Sequence, residues 1–587
     1  MEKLLVANRG EIAVRVMRTA REMGLQTIAV YSEIDRDAMH VRLADEAYLL
    51  GPASPAQSYL NIERILEIAG RAGARYIHPG YGFLAENASF ARAVSDAGFT
   101  WVGPHPDAID AMGDKMRARQ AMIAAGVPIV PGGTEQIIDA EGAKAAAKKY
   151  GLPLALKASG GGGGKGLKVA YTIDELGAAL STAKREAEAY FKNGAIYAER
   201  YLENPKHIEL QILADKHGTV LDVGERDCSL QRRHQKLWEE TPPAVSPRVR
   251  EGIREAGIRA AKAIGYDSAG TIEWLVSGDE FYFLEMNTRI QVEHTVTEMV
   301  SGLDLVREQI RSASGERLGY DQNAIAFRGH SIEGRINAED PANDFRPAPG
   351  TVTTYREPGG LGVRIDSAAF PGFTIGSEYD SLIAKLVVWA PDRSQALARF
   401  RRALDEYVIE GVPTTLPLLR QLCDHAPVMD ATYTTSTLET FAATCHPERR
   451  ADARPVEGHP EQRAVSASVE GKRSEAISVE VDDKLYHVRV FDRPNRAAGA
   501  RKPRRAARNE RASAVTGNDV VSPMHGAVVE MPVGEGATVT EGQVVAVVEA
   551  MKMMNEIRAH KSGTVSKVHA QPGETVESNS ALVTISD

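Results

Sequence analysis

Near its C-terminus the chain states one short β-rich sequence twice. "GAVVEMPVGEGATVTEGQVVAVVE" begins at Gly526 and "GTVSKVHAQPGETVESNSALVTIS" begins at Gly563. In register, Gly526 meets Gly563, Val528 meets Val565, Gly536 meets Gly573, and Thr538-Val539 meets Thr575-Val576. A unit this short cannot bury its apolar face alone, so the two copies must cover each other. The pattern predicts a flattened all-β sandwich with quasi-twofold symmetry over residues 517–587. The segment joining the copies, Ala550–Asn555, then becomes an exposed hairpin. Lys552, flanked by Met551 and Met553, projects from it where another protein can reach it.

The rest of the chain is of a different kind. At 587 residues and 43% hydrophobic content it exceeds one core and predicts several domains. "KLLVANRGEIAVRVMRTAREMGLQTIAVYS" reads as strand, glycine turn, helix, strand, and the pattern repeats through residue 113 as an open α/β domain. A helix in "DKMRARQAMIAAGVP" opens a second domain, 114–330. Residues 331–445 are β-rich and contain the amphipathic helix "DRSQALARFRRALDEYVI". Residues 446–493 hold a hairpin, "EAISVEVDDKLYHVRVFD", turning at Asp482-Asp483, which reads equally as a docking element or as a small satellite of the preceding core. Residues 494–516, rich in Arg and Ala, read as a flexible linker.

Composition removes several function classes. The net charge is −9, and no aromatics interleave with the basic linker, so no nucleic-acid partner is expected. No apolar run approaches the roughly 20 residues that span a bilayer. The N-terminal run is broken by Asn8, Arg9 and Glu11, unlike a signal peptide. Cys228, Cys423 and Cys445 stand far apart, which fits a reducing, cytoplasmic setting.

Chemistry-bearing residues crowd the second domain. "KASGGGGGKGLKV" lets backbone N–H groups approach an anion closely, but it is not a Walker A loop, since Gly166 follows Lys165 and a strand follows that. It suits a lid over a triphosphate. "GTIEWLVSGDEFYFLEMNTRIQVEH" places Glu273 on one strand and Glu285 and Asn287 on one face of the next. Two carboxylates and an amide oxygen suit a hard cation such as Mg²⁺. The polar run from Gln231 to Lys236 is expensive unless it lines a wet site. "YAERYLENPKHIELQ" offers a strand end and loop for an adenine edge, and "EGRINAEDP" adds Arg335.

These segments resemble known families. "EAMKM" at 549–553, with the symmetric halves, resembles the biotinyl domain of biotin carboxyl carrier proteins; lipoyl domains share the fold, and methionine on both sides of Lys552 favours biotin. Residues 1 to about 445, through "HPGYGFLAEN", "KASGGGGGKG", "ERDCSLQRRHQK" and "EMNTRIQVEH", resemble the biotin carboxylase branch of the ATP-grasp enzymes. The resemblance implies ATP contacts from Lys115, Lys157, Gly163, Gly164, Glu199, Leu202, His207, Gln231 and His234. It implies two Mg²⁺ or Mn²⁺ on Glu273, Glu285 and Asn287, and bicarbonate on Lys236, Arg289, Gln291 and Val292. Glu293 is then the general base, Arg335 and Tyr81 face biotin, and biotin is carried on Lys552. One departure is Gly334, where a cysteine is expected.

In the chemistry so implied, Glu293 deprotonates bicarbonate, which attacks the γ-phosphoryl group of ATP. The resulting carboxyphosphate decomposes to CO₂ and phosphate in a closed site. Phosphate then deprotonates biotin N1, and Arg335 stabilises the enolate-like oxygen. A flexible linker of about 25 residues spans roughly 25–30 Å and holds biotin at about millimolar local concentration. Since no carboxyltransferase follows, the resemblance implies the α subunit of an acyl-CoA carboxylase. A separate carboxyltransferase β subunit, a biotin protein ligase and a homo-oligomer within a larger hetero-oligomer are the implied partners. Acetyl-CoA and propionyl-CoA are the expected acceptors. Pyruvate and urea carboxylases use the same half. A carboxylate–amine ligase with a lipoyl-like domain, or a carrier with a dead ATP-grasp domain, are competing readings, opposed by "RIQVE", Lys236, Arg289 and Glu293.

Overall fold

The computed structural model describes residues 1–159, 166–191, 193–233, 235–441, 474–481, 484–491, 518–524, 526–551, 553–577 and 579–586, with backbone alone for 189–191, 474–481, 485–491 and 553. The expected 494–516 linker and the Asp482-Asp483 turn lie outside them, as do Gly163, Gly164, His234 and Lys552. The chain divides into two units. The first comprises Met1–Ala338, Thr351–Phe373 and Leu382–Ala443; the second comprises Glu339–Gly350, Thr374–Ser381 and Thr444–Asp587.

In the first unit, Lys3–Val6 lies at the centre of a parallel sheet, flanked by Gln26–Ser32 and Tyr76–His78, with Glu46–Gly51 and Thr100–Trp101 outside. The apolar run Leu4–Val6 is fully buried, as a strand covered on both faces must be. The helix Gly10–Glu22 makes the first crossover, burying Ile12, Ala13, Val16 and Met17.

The second sheet has eight strands, in the order Glu280–Asn287, Ala269–Ser277, Lys206–Ala214, Val220–Arg232, Gln235–Thr241, His330–Asn337, Leu382–Ala390, Val363–Ser367. It runs through the 330/331 boundary without a break, because Gln235–Thr241 pairs with His330–Asn337, with Trp238 opposite Gly334. Pairing between strands so far apart in sequence leaves no local signature. Gly334 also has a packing reason to lack a side chain. A Cβ there would meet Phe400 Cζ at 2.6 Å, and Phe400 packs edge-on against Trp238 with ring centroids 4.7 Å apart. A smaller sheet carries the glycine segment, with Leu154–Ala158 between Leu167–Ala170 and Ile196–Arg200.

Two histidines of the first unit are buried neutral. His40 faces the Val30 carbonyl, and His78 Nδ1 accepts from Gly80 N at 2.9 Å. Burial pushes both imidazoles down to about 4. Below pH 6.5 the unfolded chain takes up protons that the folded chain refuses, so stability falls as the pH drops towards 4. Each histidine is expected to cost about 3 kcal/mol across that window. Urea unfolding followed between pH 7 and 4.5 should show a His40→Gln variant with a shallower acid slope than wild type; an equal slope would refute this account.

In the second unit, Ser474–Val481 and Lys484–Phe491 form an antiparallel hairpin with Val481 opposite Lys484. The repeat folds into two four-stranded sheets. Gly526–Glu530 of the first copy pairs with Thr575–Val576 of the second, and Gly563–Val568 of the second pairs with Thr538–Val539 of the first. Each copy thus completes the other's sheet, around a core of Val528, Val545, Val548, Val565, Leu582 and Ile585. The two register-matched glycines are needed for the same reason. A Cβ on Gly526 would lie 2.4 Å from Glu549 O, and one on Gly563 would lie 2.3 Å from Ser586 O. The hairpin tip is tighter than the expected span Ala550–Asn555. Val544–Ala550 pairs with Met553–Arg558, with Ala550 opposite Met553, which leaves a two-residue turn. Met551 starts that turn at φ +49° with its side chain buried, so it anchors the tip rather than being exposed with it.

Candidate active site

Strand alternation builds the site on the eight-stranded sheet. His207, Glu209 and Gln211 lie two apart on Lys206–Ala214 and all are buried. Glu273 stands opposite Glu209 on one side and opposite Glu285 on the other. Lys236 lies at the centre. Its Nζ donates to Glu293 Oε1 at 2.9 Å, to Glu273 Oε1 at 3.0 Å, and to Glu209. Burial opposes the ammonium charge, but the three carboxylates outweigh it and hold Lys236 well above the usual lysine range.

Glu293 is the head of the helix His294–Ser301. Its other oxygen, Oε2, accepts from Arg335 Nη2 at 2.9 Å, and Arg335 Nε donates to Glu239 Oε1 at 2.6 Å. Burial opposes ionisation of Glu293; Lys236, Arg335 and Arg226 overcome it and keep the carboxyl well below the usual range. A base, an ammonium and a guanidinium therefore converge. Gln291 is held by the buried Arg226, whose Nη2 donates to Gln291 Oε1 at 2.8 Å, and Gln291 Nε2 donates to Glu273 Oε1 at 3.0 Å. The Val292 carbonyl accepts from Lys385 Nζ at 2.8 Å, so its place near the base is pinned through the backbone.

Arg289 sits at the edge of this group. Its Nη2 donates to Asn287 Oδ1 at 2.9 Å and its Nε to Glu86 Oε2 at 2.9 Å. Asn287 Nδ2 in turn donates to Glu273 Oε1 at 2.7 Å. Glu285 Oε2 accepts from Lys115 Nζ at 2.6 Å, at the head of the helix Lys115–Ala124. Glu199 takes a proton donor from Lys157 and another from Arg119 Nη1 at 2.7 Å. His207 Nε2 stands 3.1 Å from Glu273 Oε2, and Gln231 is buried opposite Lys236 on the neighbouring strand. Leu202 lies in the loop after Ile196–Arg200. The buried Tyr81 hydroxyl has no hydrogen-bond partner among the described residues.

Glu273, Glu285 and Asn287 fit a hard divalent cation. Their donors are oxygens on adjacent strands, with the two carboxylates directly opposite, and a divalent cation would replace Lys236 and Lys115 as their counter-charge. His207, Glu209 and Glu273 also offer ligand atoms within 4.8 Å of one another, but Arg226 and Lys236 neutralise Glu209, so this grouping belongs to the charge network.

The predicted residues Lys236, Glu273, Gln291, Glu293 and Arg335 thus form one bonded cluster, joined through Asn287 to Arg289. The sequence reading missed Glu209, Arg226, Glu239 and Glu86. The polar alternation His207, Glu209, Gln211 within an otherwise apolar strand was a usable signal; Glu86 lay inside "HPGYGFLAEN" without being singled out.

The chain is similar to known proteins. Residues 1–109 match the biotin carboxylase N-terminal domain, and 114–320 match the ATP-binding domain of the carbamoyl-phosphate synthase L chain. Residues 333–440 match the biotin carboxylase C-terminal domain. Biotin carboxylase 1 of Bacillus subtilis is 50% identical over 444 residues, which is 75% of this chain and 99% of that protein. The chain belongs to the biotin carboxylase family. Residues 518–585 match the biotin-requiring enzyme domain, so this biotin carboxylase has a fused carrier. The biotin-dependent acyl-coenzyme A carboxylase alpha3 subunit of Mycobacterium leprae is 44% identical over 597 residues, covering 99% of this chain and 98% of its own. Among solved structures, the biotin carboxylase domain dimer of Hydrogenobacter thermophilus 2-oxoglutarate carboxylase, with MgADP, ADP and bicarbonate, has a TM-score of 0.72. It is 51% identical, over 75% of this chain and 97% of that one. The biotin carboxylase activity is ATP-dependent carboxylation of biotin. No helix among the described residues is long and apolar enough to cross a membrane.

Proposed function

We propose that this biotin carboxylase is the α subunit of an acyl-CoA carboxylase, charging biotin on its own Lys552 for a separate carboxyltransferase β subunit. The observation that carries this reading is the similarity to the mycobacterial alpha3 subunit, which extends across both the catalytic and the carrier parts. Acetyl-CoA and propionyl-CoA are the acceptors expected. A biotin protein ligase, and self-association of the catalytic part, complete the proposed partners; the Hydrogenobacter structure is a domain dimer. We place the protein in the cytoplasm.

Each residue's work follows from its surroundings. Lys236, Arg289, Gln291 and the Val292 backbone receive bicarbonate, and Glu293 accepts its proton. Glu293 is a weak base while Lys236 and Arg335 both neutralise it. An incoming anion claims part of that positive charge, so the proton affinity of Glu293 rises when the substrate to be deprotonated arrives. Lys115, Lys157 and His207 face the phosphates, Gly163, Gly164 and His234 are assigned to ATP with them, and Glu199, Leu202 and Gln231 border the nucleotide. Glu273, Glu285 and Asn287 would hold the divalent cations, which would supply charge neutralisation at the phosphoryl oxygens. Biotin supplies a ureido nitrogen as carboxyl acceptor. Arg335 and Tyr81 orient it, and the guanidinium stays charged as negative charge gathers on the ureido oxygen.

A second reading rests on the 51% identity to the 2-oxoglutarate carboxylase domain, which would make the acceptor a keto acid. Purifying the chain with its native partner and offering labelled bicarbonate with acetyl-CoA, propionyl-CoA, pyruvate or 2-oxoglutarate decides between them. Label fixed only into acyl-CoA is expected; label fixed into a keto acid would replace the proposal.

A further inference from the structure

Arg335 is gripped from behind as well as in front. Behind it lies Glu239, whose residue on the paired strand is Glu333, so two glutamates stand directly opposite each other. Residues directly opposite in an antiparallel pair have Cβ atoms about 4.5–5.5 Å apart. Glu333 and Arg335, two apart on His330–Asn337, share that face. Both carboxyls are completely inaccessible to solvent. Each uses one oxygen: Glu239 Oε1 accepts from Arg335, and Glu333 Oε2 accepts from Thr295 Oγ1. Each leaves the other oxygen buried with no partner among the described residues, Glu239 Oε2 and Glu333 Oε1. Two ionised carboxylates placed this way would repel each other and leave two charged oxygens buried and unsatisfied. One proton between them removes both penalties.

We propose that Glu239 and Glu333 are a one-proton acid pair that positions Arg335 and sets how much of its positive charge is available to biotin. The proposal rests on the assignment of Arg335 to biotin, and it adds residues that the reaction does not consume.

The surrounding charges favour one negative charge on the pair over two. Arg335 faces Glu239. Lys385, on the next strand, is shared with the Val292 carbonyl, with Glu11 at 3.4 Å and with Asp366 at 3.8 Å. Lys236 and Arg226 are engaged by Glu209, Glu273 and Glu293, and Glu293, at the head of the helix His294–Ser301, adds repulsion. His294 is held neutral by burial, and burial likewise pushes the Cys228 thiol up and keeps it neutral. Burial is the main cause that raises both acids, Glu239 up to about 8 and Glu333 up to about 7, with Glu333 adding to the rise at Glu239. With one proton the pair steadies the guanidinium. When that proton leaves at higher pH, a second negative charge draws on Arg335, and turnover on biotin should decline while nucleotide affinity stays constant.

The test is infrared spectroscopy of the full-length protein without substrates, titrated from pH 6 to pH 9.5. A protonated-carboxyl C=O stretch should be present at low pH in wild type and disappear across neutrality. In both Glu239→Gln and Glu333→Gln the midpoint at which the band disappears should fall to lower pH, because each substitution removes the like charge beside the remaining buried acid. A wild type without the band, or a midpoint unmoved in both variants, overturns the pair. Should a glutamine variant fail to fold, Thr295→Val keeps both acids and removes the hydroxyl that favours ionised Glu333. Its band should then disappear at higher pH, and an unmoved midpoint counts against the proposal. In parallel, the alkaline limb of kcat for free biotin should move with the band while the KM for ATP does not. A limb that ignores the band's midpoint overturns the link to Arg335. Because the infrared readout needs no biotin, its failure is distinct from a failure of the Arg335 assignment.

Discussion

Glu293→Gln is expected to lower bicarbonate-dependent ATP cleavage by about 10²–10⁴-fold, the usual worth of a positioned general base. The amide keeps the size and keeps one acceptor, for either Lys236 or Arg335, which donate to different oxygens of Glu293 at 2.9 Å each, while its NH2 faces the other cation. What it loses is the ability to take a proton. Removing one carboxylate still leaves Lys236 with Glu209 and Glu273, so the ammonium is not stranded. Nucleotide binding should persist, since Lys115 and Lys157 are tied to Glu285 and Glu199 and not to Glu293. Phosphate release measured with and without bicarbonate, beside ADP affinity, checks this. Full bicarbonate-dependent activity in the variant would remove Glu293 from the role of base.

Lys552→Ala is expected to abolish carboxyl transfer to any acceptor while leaving carboxylation of free biotin intact. The tip is a two-residue turn between strands in which Ala550 faces Met553, anchored by the buried Met551. Loss of the attachment point also loses the roughly millimolar effective concentration that tethering provides. Streptavidin blotting of wild type and variant, with transfer assayed alongside, measures the effect. A biotinylated variant would place the attachment elsewhere.

How much of this could be read before folding differs from residue to residue. Lys236, Glu273, Gln291, Glu293 and Arg335 were readable because they sit in short polar motifs that make no sense as core. The proposed metal donors Glu273 and Glu285 were readable as lying on the two arms of one hairpin turning at Gly278-Asp279, but a register shift between Glu273 and Trp274, which the turn does not dictate, sets them directly opposite. Arg226 and Glu239 were not, because a polar residue inside a long strand looks like a solvated face until its neighbours are known, and Glu209 showed only in the alternation His207, Glu209, Gln211. Glu333 opens "EGRINAEDP", but its partner is 94 positions away in sequence, so the pairing could not be read. Gly334 looked like a departure of no consequence, and the reason for it, Phe400, lies on a helix brought in from the other side of the sheet.

The amino-acid order alone determined the carrier's internal repeat and the place of Lys552 at its seam, and through motif resemblance it supplied the groups proposed for ATP and bicarbonate, since each motif is written within a few neighbouring residues. Tertiary structure decided which charges share a buried site and which carboxyl keeps a proton. Those depend on separations of a few ångströms between strands and helices remote in the chain, and on the exclusion of water that makes such separations count.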